Sequence, residues 1–144
     1  RPNADNDGRA IMAMLDDYAA RSPRVCVFAS LGQRRYLSLA AQVDAVVGNS
    51  SSGLYEIPSL GKPTVNIGDR QKGRLRAASI LDCPARAEAV AATVRRAFDL
   101  DCRGVANPYG DGQAARRIHD VVAGIDDFQA LARKRFHDLK GGAA

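Results

Sequence analysis

Residues 48–74 read GNSSSGLYEIPSLGKPTVNIGDRQKGR: consecutive serines between two glycines, then a carboxylate, then a cluster of cations. Serine hydroxyls and unpaired backbone N–H groups donate hydrogen bonds to phosphate oxygens, glycines let a ligand approach the main chain, and an arginine holds two phosphate oxygens at once. Glu56 is an acceptor, the type needed for a pair of ribose hydroxyls beside a phosphate. Each residue also has a plainer reading. Ser51 or Ser52 could cap a helix, and Glu56 could be an acid favoured near a helix N-terminus. The residues alone leave both readings open. The stretch is not a P-loop: Gly48 and Gly53 meet the glycine spacing, but Leu54-Tyr55 stands in place of the Lys-Ser/Thr that meets phosphate and magnesium. A Rossmann Gly-x-Gly-x-x-Gly is missing too.

Such groups need elements to aim them, and the chain alternates helical and strand patterns. Residues 8–20 carry Ile11, Met14, Leu15 and Tyr18 at helical spacing, and 24–30 (RVCVFAS) is a β-branched and aromatic run after Ser22-Pro23. The patterns then predict a helix over 33–43, a buried strand over 44–49, a helix over 52–61, buried strands over 63–68 and 78–83, and an amphipathic helix over 85–100. Residues 101–112 read as a loop, followed by helices over 112–123 and 126–139. Strands alternating with helices imply an α/β fold with a parallel sheet. The serine stretch then sits where a strand ends and a helix begins, the place where such sheets bind ligands.

At 144 residues the chain has the length of one domain. No apolar run approaches the roughly 18 residues of a membrane span, and no signal peptide is visible. Cys26, Cys83 and Cys102 are odd in number and lack a C-x-x-C pair, so neither a disulfide framework nor a zinc site is expected; a reducing cytoplasm fits best. The net charge of +5 invites anionic partners. Arg34-Arg35, Arg95-Arg96, Arg116-Arg117 and Arg133-Lys134-Arg135 fall in separate helical patterns and read as solvated faces. Arg70, Lys72, Arg74 and Arg76 are instead concentrated in one loop.

With the serines, Glu56 and that loop in one order, the stretch resembles the signature of the hydrolysing UDP-N-acetylglucosamine 2-epimerases. PNADNDGR (2–9) resembles the P-N-x-D-x-G-type loop of the same family, and the likeness runs from the first residues to at least Cys83. It implies a glycosyltransferase-B-type arrangement of two Rossmann-like domains, of which this chain would be part of the C-terminal, nucleotide-binding one. In a 3-2-1-4-5-6 sheet, 24–30 would be the third strand and 44–49 the fourth, and the first strands would be absent from this chain.

The resemblance implies that Ser50 and Ser51 meet the phosphates, Glu56 the ribose and Arg70 the diphosphate end. Asn3 matches the ligand-contacting asparagine of the upstream loop, Asp5 helps hold that loop, and Leu31 falls at the backbone contact to uracil. Ser52 and Arg74 are further candidates, and Arg9 stands where some members have a lysine. No metal or cofactor is implied. The family's acids and catalytic histidine match positions upstream of this chain, so the catalytic residues are not assigned here; His119 and His137 lie late, in expected surface helices. The expected partners are a UDP-sugar, an N-terminal domain and further copies in a homo-oligomer of the full-length enzyme, with neither nucleic acid nor membrane. Two other readings remain: the donor-binding half of a glycosyltransferase of the same fold, and a basic nucleic-acid-binding module, which the lack of aromatic residues interleaved with the cations disfavours.

Overall fold

Thr64-Val65-Asn66-Ile67 is the middle of the sheet. The computed structural model describes residues 8–133. Three short parallel strands, β1 (Val46–Gly48), β2 (Thr64–Ile67) and β3 (Ile80–Cys83), lie side by side in chain order. The register pairs Gly48 with Asn66 and Asn66 with Asp82, so the carboxyl ends of the strands fall level with one another. Parallel neighbours need a crossover. Between β1 and β2 this is α3 (Ser52–Tyr55) followed by a 3-10 turn (Ile57–Leu60); α1 (Gly8–Arg21) and α2 (Gly32–Ala40) precede β1, and α4 (Ala87–Phe98) follows β3.

Alternate strand residues face opposite sides of the sheet. On one side Val65, Cys83 and Ala97 form the buried centre, with Ile67, Leu81, Val90 and Val94 closing around them. Val90, Val94 and Ala97 recur at helical spacing, which makes this the face covered by α4. Glu88 in the first turn of α4 and Arg95 and Arg96 in its last complement the helix dipole. On the opposite side α3 lies directly against β2. The Thr64 hydroxyl donates to the Gly53 carbonyl at 2.9 Å. A Cβ on Gly53 would stand 2.7 Å from Thr64 Cγ2, closer than packed carbons tolerate, so only glycine fits this crossing.

The parallel α/β fold is the one expected, with two local differences. The helix expected over 52–61 is broken at Glu56: Pro58 has no N–H to continue the ladder, so the chain tightens into the 3-10 turn and ends at Gly61 with φ 64°. Residues 24–30, expected as a strand, pair with no strand among the described residues. Val25 and Val27 are half-buried and Cys26 and Phe28 exposed, so the period-two pattern survives. A strand, however, exists only through a ladder partner, and none of the three described strands forms a ladder with this segment.

The chain divides into a unit ending at Pro108, which holds the sheet, and a unit beginning at Tyr109. Within the second, α5 (Ala114–Ala123) and α6 (Phe128–Ala132) form where two helices were expected. The Asp127 carboxylate caps α6 by accepting from the N–H groups of Gln129 and Ala130. The remainder of the expected 126–139 helix lies outside the described residues. No helix among the described residues is long and apolar enough to cross a membrane.

Candidate functional site

Past Gly48 the chain leaves the sheet through Asn49, Ser50 and Ser51. The carbonyls of Ser50 and Ser51 accept from the N–H groups of Gly53 and Leu54 at 3.2 and 2.9 Å, which folds the loop straight into α3. Ser51 occupies the N-cap position, yet its side chain makes no cap hydrogen bond. The capping reading therefore does not hold for Ser51. With four residues, α3 is also too short to build the full dipole of a long helix, so any anion here meets the loop's hydroxyls and N–H groups more than a helix end.

Ser52 does not cap either. Its hydroxyl donates to Glu56 Oε2 at 2.5 Å and lies 2.6 Å from the Tyr36 hydroxyl of α2. This ties the serine loop to a second element. Leu31, the residue expected at a base-side contact, is the N-cap of that same α2.

The neighbouring wall is the loop after β2. Gly68 turns it with φ 73°, and Asp69 and Arg70 follow, both exposed. Gln71 is buried and its side-chain amide donates to the Asn49 carbonyl at 2.6 Å, so one hydrogen bond fastens the Arg70 loop to the residue before Ser50. Arg76 holds the loop in shape from its other end. Its guanidinium donates to the carbonyls of Gln71 and Arg74 at 3.1 and 2.6 Å and to Asp82 Oδ2 at 2.7 Å. Asp82 in turn accepts from the Asn66 amide at 2.6 Å. The side-chain oxygens of Asn66 and Gln71 are buried without a partner among the described residues, the kind of group that ordered water satisfies. An open cleft of about 450 Å³ lies at the same carboxyl end, lined by Gly68, Asp69, Asp82, Cys83, Pro84 and Ala85.

Ser50 and Ser51 thus come from one loop and Arg70 from an adjacent one that Gln71 joins to it, while Glu56 follows α3. The Arg74 guanidinium lies over the Tyr55 ring, 5.2 Å from its centroid. Arg9 is exposed on α1, and Asn3 and Asp5 lie outside the described residues. His119 is exposed on α5 beside Asp120, and His137 lies outside the described residues. Sequence reasoning missed Tyr36, Gln71 and the Asn66–Asp82–Arg76 chain. One signal was available: Asn66 and Asp82 are polar residues inside two buried strand patterns, and the parallel register sets them side by side.

Comparison with known proteins agrees with this architecture. The family model described as UDP-N-acetylglucosamine 2-epimerase matches residues 1–123. A GDP/UDP-N,N'-diacetylbacillosamine 2-epimerase (hydrolyzing) of Campylobacter jejuni is 46% identical over 83 residues, 57% of this chain and 22% of that protein. A polysialic acid biosynthesis protein of Escherichia coli is 34% identical over 95% of this chain and 35% of its own length. A UDP-N,N'-diacetylbacillosamine 2-epimerase (hydrolyzing) of Legionella pneumophila is 30% identical over 86% of this chain and 33% of its own. The chain spans about a third or less of the length of these relatives. With the family model covering residues 1–123 of 144, the chain belongs to the UDP-N-acetylglucosamine 2-epimerase family.

Proposed function

We propose that residues 1–144 form the nucleotide-binding, C-terminal part of a hydrolysing UDP-sugar 2-epimerase. The Campylobacter and Legionella relatives carry such a reaction in their names. In this reading the enzyme eliminates UDP from UDP-N-acetylglucosamine, or from a diacetamido relative of it, and water adds to the resulting glycal; with the former substrate this gives N-acetylmannosamine. As the sugar C–O bond breaks, its electron pair leaves with UDP and negative charge grows on the diphosphate. Ser50, Ser51 and Arg70 meet that charge, and Glu56 accepts the ribose hydroxyls. Leu31 lies toward the base, and Asn3 takes the part of the ligand-contacting asparagine that it matches. Proton transfers fall to the family's acids and histidine, in a second domain and at the head of this one, and the complete enzyme works as a homo-oligomer.

One observation carries this reading: the hydrogen bond that the Gln71 side-chain amide donates to the Asn49 carbonyl at 2.6 Å sets the serine loop beside the loop that bears Arg70. The loops that bear Ser50, Ser51 and Arg70 are then neighbours at the carboxyl end of the sheet, which supports a diphosphate site there. Calorimetric titration of the intact protein with UDP tests it. Saturable binding with modest salt dependence is expected, because a diphosphate engages few cations. A protein neutralising six to ten phosphates of DNA instead loses roughly 10³–10⁵ in affinity between low and moderate salt. No UDP binding, with a slope that steep for an oligonucleotide, would overturn the reading in favour of a nucleic-acid module.

A further inference from the structure

Glu56 sits at the break between α3 and the 3-10 turn, where no continuous helix fixes its side chain. Its backbone N–H donates to the Ser52 carbonyl at 2.9 Å and its carbonyl accepts from Ser59 at 3.1 Å, which anchors the main chain. The carboxylate is oriented by the Ser52 hydroxyl at 2.5 Å. A serine hydroxyl has one proton, and here it points to the carboxylate. The 2.6 Å contact between Ser52 and Tyr36 therefore runs the other way, with the phenol donating to the serine oxygen. Tyr36 O–H to Ser52 O–H to Glu56 Oε2 is then a directed chain across two elements, and each bond polarises the next.

We infer that Tyr36 is a positioning residue that, through Ser52, holds the Glu56 carboxylate in the orientation that selects a ribonucleoside diphosphate by its vicinal hydroxyls. This rests on the ribose role proposed for Glu56. With the Ser52 proton held by Oε2, the carboxylate cannot turn freely, and its remaining lone pairs are presented in a fixed direction. Without the phenol, the Ser52 hydroxyl loses one of the two hydrogen bonds that fix its rotamer, and the restraint on Glu56 weakens. The residue supplying that restraint belongs to α2, whose first residue follows Leu31, so the base side and the ribose side of the site are set by one helix.

The test compares binding of UDP and 2′,3′-dideoxy-UDP to the intact protein and its Tyr36→Phe variant by calorimetry. The unmutated protein should favour UDP. Tyr36→Phe should weaken UDP about three- to tenfold, the scale of one lost hydrogen bond, and leave the dideoxy analogue unchanged, so the preference shrinks. Ser52→Ala should act alike, and the double variant should add nothing to either single one. Ser52→Thr, which keeps the hydroxyl, should retain the preference. A merely structural role for Tyr36 would weaken both ligands equally. A wild-type preference in both Tyr36→Phe and Ser52→Ala, whatever the absolute affinities, overturns the inference alone. Failure of the unmutated protein to bind UDP overturns the proposed function and this inference with it.

Discussion

Arg70 and Lys72 stand on one loop, and they differ in what they can hold. A planar guanidinium grips two phosphate oxygens in fixed geometry, whereas an ammonium acts as a point charge. In the proposed reaction Arg70→Lys keeps the charge and loses the geometry, so kcat and kcat/KM should fall together by about 2–4 kcal/mol of transition-state stabilisation. Lys72→Ala should be nearly neutral. Steady-state kinetics of both variants decide it, since small and equal effects on KM alone would make the loop a general attractor of anions. Ser50, Ser51, Glu56 and Arg70 stood out as candidates because their side-chain types can meet phosphate and ribose, and the family resemblance gave each its proposed role. The work of Ser52 was not: its partners Tyr36 and Glu56 include a residue from another helix, and a hydroxyl looks the same whether it caps or relays.

The joint between α3 and β2 depends on a missing side chain. Gly53 and Thr64 pack so closely that an added methyl would meet Thr64 Cγ2 at 2.7 Å. Gly53→Ala should therefore destabilise the fold by about 1–3 kcal/mol, the usual cost of forcing an extra carbon into a packed interior. Thr64→Ser removes the offending methyl and keeps the hydroxyl that donates to the Gly53 carbonyl. The double variant should be more stable than the sum of the two single losses, measured by urea denaturation. Strict additivity would show that the two residues do not meet. Helix and strand positions were largely legible here from periodicity, and the break at Glu56 follows from Pro58, which stands inside the helical pattern of 52–61.

The whole chain is basic, with a net charge of +5, and several carboxylates find guanidinium partners. Arg103 beside Asp101 lowers that carboxyl to about 2 from an ordinary 3.8, through side-chain and backbone hydrogen bonds. Arg117 likewise lowers Asp111. The sign follows from the depressed folded value: the stabilisation from Asp101 is fully present above the unfolded value and is lost as pH falls from about 3.8 through about 2. An NMR titration should place the Asp101 midpoint near 2, and Arg103→Ala should return it toward 3.8. Stability at neutral pH should hardly change, because this pair is exposed and screened by solvent. A midpoint unaltered by Arg103→Ala would refute the pairing.

Local periodicity was enough for the parallel α/β fold and for the serine loop at a strand end, and the likeness to a known signature for the family. These depend on short-range order: apolar runs favour buried strands, and a glycine- and serine-rich run favours a turn out of the strand. Residues 24–30 show the limit, since the same alternation that reads as a strand forms none without a neighbour to complete its ladder. Only the tertiary structure decided that Gln71 reaches Asn49 and that Asn66, Asp82 and Arg76 join into one chain of hydrogen bonds. It alone set Tyr36 beside Ser52. Partners separated by sixteen or twenty-two residues are chosen by strand register and helix packing, which no local pattern encodes.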